Sequence, residues 1–98
     1  MHLLLFYEYV EDYLEKRKAL RAAHFAHAQA SYDRGELALA GAYADSPPGG
    51  VLVFRGDRSE IAEEFAKNDP YVLKGLVTSW RVRPWTTVLG DGKTLPAV

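Results

Sequence analysis

The chain has 98 residues, 48% of them apolar and 26% charged, with a formal net charge of −1 at neutral pH. That length holds one hydrophobic core, so residues 1–98 are expected to form a single α+β domain. The near-zero charge argues against a nucleic-acid partner held by charge alone, and the lack of cysteine excludes a disulfide framework and a thiolate metal site.

The first element is "HLLLFYEYV", a short aromatic-rich strand. Leu3, Leu5, Tyr7 and Tyr9 share one of its faces, and Leu4, Phe6 and Val10 the other. Glu8 interrupts its apolar run, so it is neither a membrane span nor a signal peptide. No membrane partner is expected, and the location read from this is cytoplasmic. Asp12 is placed to cap the next helix, predicted over residues 13–33 and ended by Gly35. Leu14, Phe25, Ala28 and Tyr32 fall on one side of that helix and are expected to face the core.

"ELALAGAYA" reads as the second strand and "VLVFRG" as the third, joined by the turn "DSPPGG". "DRSEIAEEFAKN" is the second helix, with Asp57 or Ser59 as its cap and Ile61, Ala62 and Phe65 on its apolar side. "PYVLKG" continues as a short helical turn, "LVTSWRVRPW" is the fourth strand, and residues 86–98 read as an irregular tail. The order β-α-β-β-α-β predicts a ferredoxin-like split βαβ fold: a four-stranded antiparallel sheet with two helices on one face. The strands carry apolar groups on both faces, as in Leu4/Leu5, Leu39/Ala40 and Val53/Phe54. Two helices cover only one face, so a homodimer through the open sheet face is expected.

The candidate chemistry centres on the first helix. Arg17, Leu20, His24, Ala28 and Ser31 form a stripe beside the expected core stripe. His24 therefore sits at the border of the buried face, close to Arg17 and Arg21, whereas His27 turns toward solvent and His2 is terminal and exposed. Histidine suits proton transfer near neutral pH, but a border histidine also serves simply by bonding a neighbour. Asp69-Pro70 breaks the second helix. In a split βαβ fold this break can lie near the middle of the first helix, where Asp69 would fix the tautomer of His24 and stabilise its charged form. The competing role for Asp69 is a cap on the turn that Pro70 starts. Trp80 and Trp85 read as core or interface residues. His24 and His27 lack a third ligand at suitable spacing, and there is no G-x-G-x-x-G or P-loop, so neither a metal nor a cofactor is expected.

"LEKRKALRAAH", "RGELALAGAYAD", "NDPYVLKGLV" and a last strand ending "RPW" resemble the YciI-like (YCII-related) proteins over residues 1–85. The resemblance implies a ferredoxin-like fold, a dimer formed through the sheets, and a histidine and aspartate near the dimer interface. Those match His24 and Asp69 here, with Arg17 and Arg21 in the same motif. A related member is a dehydrochlorinase acting on a chlorinated aromatic. The chain departs from the family where "DSPPGG" replaces a longer "GFTGS"-like link and "RPW" replaces a "KPF"-type ending. Two functions remain open at this point. One is an enzyme of the lyase (dehydrochlorinase) or hydrolase type, with His24 as general base, Asp69 as its orienter, and Arg17 or Arg21 holding a small anionic or cyclic substrate. The other is a non-catalytic dimeric module that binds a small ligand or serves a partner.

Overall fold

The computed structural model describes residues 1–93. Four strands, β1 (His2–Tyr9), β2 (Leu37–Ala42), β3 (Gly49–Arg55) and β4 (Val77–Trp85), form one sheet in the order β2-β3-β1-β4. All three pairings are antiparallel. Each strand–helix–strand unit therefore leaves a gap between its two strands, which a strand of the other unit fills. Among the described residues, no helix is long and apolar enough to cross a membrane.

The period-two pattern sets the core. Leu3, Leu5 and Tyr7 of β1 stand opposite Phe54, Leu52 and Gly50 of β3, and all five side-chain-bearing members of these pairs are buried. Helix α3 (Glu60–Asn68) closes over them with Ala62, Phe65 and Ala66. The Phe54 and Phe65 rings meet edge-on at 5.1 Å. Each fully buried apolar side chain contributes roughly 1.5–3 kcal/mol, so this layer dominates stability.

The other sheet face is divided. Leu4, Phe6, Val51 and Val53 are half-buried and Leu39 is exposed. On β4 the same face carries Arg81 and Arg83, paired with Phe6 and Leu4, and the Arg81 guanidinium lies 5.0 Å over the Phe6 ring. The apolar part is thus concentrated on β1, β2 and β3.

The first helix is not continuous. It consists of α1 (Tyr13–Lys16), a 3₁₀ turn (Arg17–Ala19) and α2 (Arg21–Asp33). The expected core stripe fails on both sides of that turn. Leu14, Phe25 and Tyr32 are exposed, while Leu20, His24, Ala28 and Ser31 face inward. His27 is half-buried rather than turned to solvent. Its Nε2 lies 2.9 Å from the Phe65 carbonyl.

Capping differs from expectation at both helix starts: neither Asp12 nor Ser59 makes a side-chain cap bond. Gly35 does end α2, at φ +82°. The Gly35 N–H donates to the Tyr32 carbonyl and the Glu36 N–H to the Ser31 carbonyl, which is the Schellman pattern that a left-handed glycine permits.

Gly49 and Gly50 belong to β3, not to the turn before it. A Cβ at Gly49 would stand 2.6 Å from the Tyr7 carbonyl, and one at Gly50 2.6 Å from the Gly41 carbonyl. Their lack of side chains lets the neighbouring backbones approach.

His2 is buried, contrary to its terminal position. Its Nδ1 meets Thr87 Oγ1, and its Nε2 lies 2.8 Å from Asp91 Oδ2. Asp91 also accepts from Arg55 Nε at 2.9 Å and Nη2 at 3.1 Å. The first part of the expected irregular tail is therefore tied down, with a turn closed between Gly90 and Lys93. Residues 94–98 of that tail lie outside the described residues. Trp80 packs against the core, and Trp85 is half-exposed beside the His2 ring.

Candidate active site

The break in the second helix positions the site. Pro70 cannot continue the ladder of α3 and starts α4 (Pro70–Leu73). Asp69 between them takes extended angles (φ −75°, ψ 124°), which turns its side chain inward, and it is fully buried. Its Oδ1 accepts from the Tyr71 N–H at 3.0 Å, capping α4. The same oxygen faces His24 Nδ1 at 2.8 Å. Oδ2 accepts from the Tyr7 hydroxyl at 2.8 Å. Asp69 thus caps the turn and bonds the histidine at once.

Three donors converge on one carboxylate. A buried carboxylate costs several kcal/mol in desolvation unless its lone pairs are satisfied, and here they are. Because ionised Asp69 only accepts, the network assigns the proton of neutral His24 to Nδ1. Nε2 is then the basic nitrogen. It has no partner among the described residues, and no buried side-chain nitrogen or oxygen there is left unsatisfied, so Nε2 reaches open space.

The imidazole is also held face-on. The Tyr71 ring stacks on it with centroids 3.8 Å apart and planes 4° from parallel. Rotation of His24 about its side-chain bonds is opposed by this stack on one side and by the Asp69 bond at its edge.

His24 opens into a cavity of about 260 Å³. The cavity exists because the floor is small: Ala40, Gly41 and Ala42 of β2 line it, and β3 contributes Leu52 but only glycine at position 50. Its walls are aromatic. Tyr9 packs on Tyr13 at 4.8 Å and meets Tyr71 edge-on at 6.3 Å. Arg17 and Arg21 also line it, and each guanidinium rests over a ring: Arg17 over Tyr13 at 5.5 Å, Arg21 over Phe25 at 4.9 Å. Among the described residues neither arginine pairs with a carboxylate, and none lines the cavity. Two cations without counter-ions favour an anionic occupant.

The phenols stay protonated. Burial, reinforced by the charge and hydrogen bond of Asp69, pushes Tyr7 far above the ordinary tyrosine range. Burial does the same to Tyr9, with smaller contributions from Tyr71, Asp69 and Tyr13 and an opposing one from Arg17. Burial also raises Tyr71, while Arg21 and then Arg17 work against the shift.

Of the four residues singled out from sequence, His24, Arg17 and Arg21 line one cavity, and Asp69 is buried behind His24, bonded to it. Sequence reasoning missed Tyr7, Tyr9, Tyr13 and Tyr71. For Tyr7 the signal was present: a tyrosine on the apolar face of a central strand needs a buried partner for its hydroxyl. Among the described residues, no three His, Asp or Glu side chains group as a metal site would require.

A four-stranded antiparallel sheet with its helices on one face is the architecture of a class of small α+β proteins. Within that class the chain belongs to the YCII-related domain family, whose model matches residues 1–86. Protein YciI of Escherichia coli O6:H1 (strain CFT073) is 36% identical over 86 residues, covering 79% of this chain and 88% of the relative. Protein YciI of Shigella flexneri matches to the same extent. Among solved structures, the 5-chloro-2-hydroxyhydroquinone dehydrochlorinase of Burkholderia phenoliruptrix AC1100, in complex with 2,5-dihydroxybenzoquinone, superposes with a TM-score of 0.75. The match covers 95% of this chain and 99% of that one at 20% identity, a likeness of fold.

Proposed function

We propose that this chain is a proton-transfer enzyme acting on a small cyclic anion, with His24 as general base and Asp69 as its orienting partner. The single observation that carries the reading is the fully buried Asp69, bonded to His24 Nδ1 so that Nε2 is left free at the cavity. Burying a carboxylate and saturating it with donors is a costly way merely to cap a four-residue helix, and a specifically paired histidine and carboxylate beside a cleft mark a candidate site.

The chemistry follows from the geometry. Nε2 takes a proton from the substrate, the ring becomes imidazolium, and Asp69 stabilises that charge without taking the proton itself. Arg17 and Arg21 hold the anionic group at the rim. The electron pair left by the proton forms a new double bond as a leaving group departs with its own pair, an elimination of the lyase type. The dehydrochlorinase with the similar fold acts on a chlorinated hydroxyhydroquinone, and the aromatic walls here suit a ring of that kind. We place the reaction in a homodimer whose second copy covers the apolar part of the open sheet face.

The test is a turnover screen with chlorinated and hydroxylated cyclic acids, following halide release and product absorbance. The expected result is turnover of at least one such compound, reduced about 10²–10⁴-fold by His24→Gln. Binding with no turnover across the screen would favour a ligand-binding module instead.

A further inference from the structure

Tyr9 has a feature the proton-transfer reading does not use. Its ring is held on two sides, by Tyr13 and by the edge of Tyr71. Its hydroxyl has no hydrogen-bond partner among the described residues, and since no buried side-chain oxygen there is unsatisfied, it opens to space. Tyr9 is also one of the residues that line the His24 cavity.

The backbone makes room for this hydroxyl. A Cβ at position 50 would stand 2.9 Å from the Tyr9 oxygen. Glycine at this strand position thus leaves open the volume that the phenol tip occupies. A half-buried hydroxyl with nothing to bond is unfavourable unless water or a ligand supplies a partner. Burial keeps the phenol protonated, so it meets that partner as a donor.

We propose that the Tyr9 hydroxyl is the hydrogen-bond donor that receives an oxygen anion of a planar, oxygen-bearing ring bound in this cavity. The class of ligand follows from the surroundings. Tyr9, Tyr13 and Tyr71 offer ring surface, and Arg17 and Arg21 supply positive charge without a local counter-ion. A phenolate or enolate oxygen satisfies the donor and the cations together. When His24 removes a proton from such a ring, negative charge develops on its oxygens, and a preorganised donor aimed at one of them lowers the barrier.

The assignment rests on reading this cavity as the proton-transfer site, yet the two are separable by experiment. The probe is 2,5-dihydroxybenzoquinone, an acidic hydroxyquinone, titrated into the full chain and followed by its visible absorbance. Tyr9→Phe removes one oxygen and keeps the ring. It is expected to weaken binding about tenfold or more, as for loss of a bond to a charged group. Tyr32→Phe, on the exposed side of α2, is expected to bind as the original chain does. Should Tyr9→Phe fold poorly, the original chain carrying ¹³Cζ-labelled tyrosine gives the answer. Its Tyr9 resonance is expected to move on adding the quinone, and its Tyr32 resonance to stay. Unchanged binding by a folded Tyr9→Phe, an unmoved Tyr9 resonance, or no binding by the original chain at millimolar quinone would each overturn the proposal. If the quinone binds through Tyr9 but no ring is turned over in a His24-dependent way, the proton-transfer reading falls and the Tyr9 assignment stands.

Discussion

The imidazole of His24 lies flat on the ring of Tyr71, 3.8 Å between centroids and 4° from parallel. The backbone N–H of the same Tyr71 caps into Asp69 Oδ1, the atom that faces His24 Nδ1. One short helical turn therefore supplies both the surface on which the imidazole rests and the carboxylate that orients it. The break at Asp69-Pro70 is what brings the two together.

Removing that carboxylate should be expensive. Asp69→Ala leaves the Tyr7 hydroxyl and the Tyr71 N–H without their acceptor in a buried place. The expected loss is about 2–4 kcal/mol, from roughly 1–3 kcal/mol per unsatisfied buried group. Asp69→Asn keeps an acceptor oxygen and should cost less. Urea unfolding of both variants measures this. An alanine variant within about 0.5 kcal/mol of the parent, the scatter of surface substitutions, would contradict it.

Alkaline pH should unfold the chain through its phenols. Tyr7 and Tyr9 are raised by burial in the folded state, so between the unfolded value, about 10, and the folded value the native state binds more protons. Their contribution is complete below pH ~10 and is lost as pH climbs above it. Phenolate absorbance and ellipticity should therefore move together for part of the transition. Ionisation of all six tyrosines in a chain that stays folded would count against the buried placement of Tyr7 and Tyr9.

Acid should loosen the C-terminal segment first. Asp91 is held below the ordinary carboxylate range, mainly by its bonds from Arg55 and then His2. A depressed carboxylate contributes above its unfolded value, about 3.9, and that contribution fades as pH falls through the lower folded value. Limited proteolysis after Lys93, compared for the parent and Asp91→Asn at neutral pH, reports the clamp. The variant should be cut faster. Equal rates would mean that Asp91 does not hold the segment.

The open sheet face should bury itself against a second copy. Leu4, Phe6, Val51 and Val53 with exposed Leu39 offer a continuous apolar area on three strands. Sedimentation equilibrium should give twice the 11.0 kDa chain mass at micromolar concentration, and Phe6→Glu should halve it. A parent chain that stays monomeric at high micromolar concentration would remove this expectation.

How far the fold can be read from sequence depends on how local the signal is. The strands announce themselves through alternation in residues 2–10 and through β-branched content near Val51 and Val53, and the order of elements comes with them. The helix stripe misleads because large apolar side chains mark the outer face: Leu14 before the 3₁₀ turn and Phe25 and Tyr32 after it are all exposed. The aromatic side chains Phe25 and Tyr32 suggest the wrong face, whereas the close approach of α2 to its neighbours uses Ala28 and Ser31. His2 is illegible because its partners, Thr87 and Asp91, lie 85 and 89 residues away. For the site, the Asp69-Pro70 break is visible in the sequence, and its nearness to His24 comes from topology. Tyr71 is adjacent to that break but gives no sign that it stacks, since stacking depends on where α2 lies against α4.

The central claim is that Asp69 fixes His24 so that Nε2 is the basic atom facing the cavity. The most direct measurement is the ¹⁵N spectrum of the His24 ring at a pH where it is neutral, in the original chain and in Asp69→Asn. The expected result is the Nδ1–H tautomer in the original chain and a shift toward Nε2–H when the carboxylate is removed. An original chain already in the Nε2–H form, unchanged by Asp69→Asn, would contradict it.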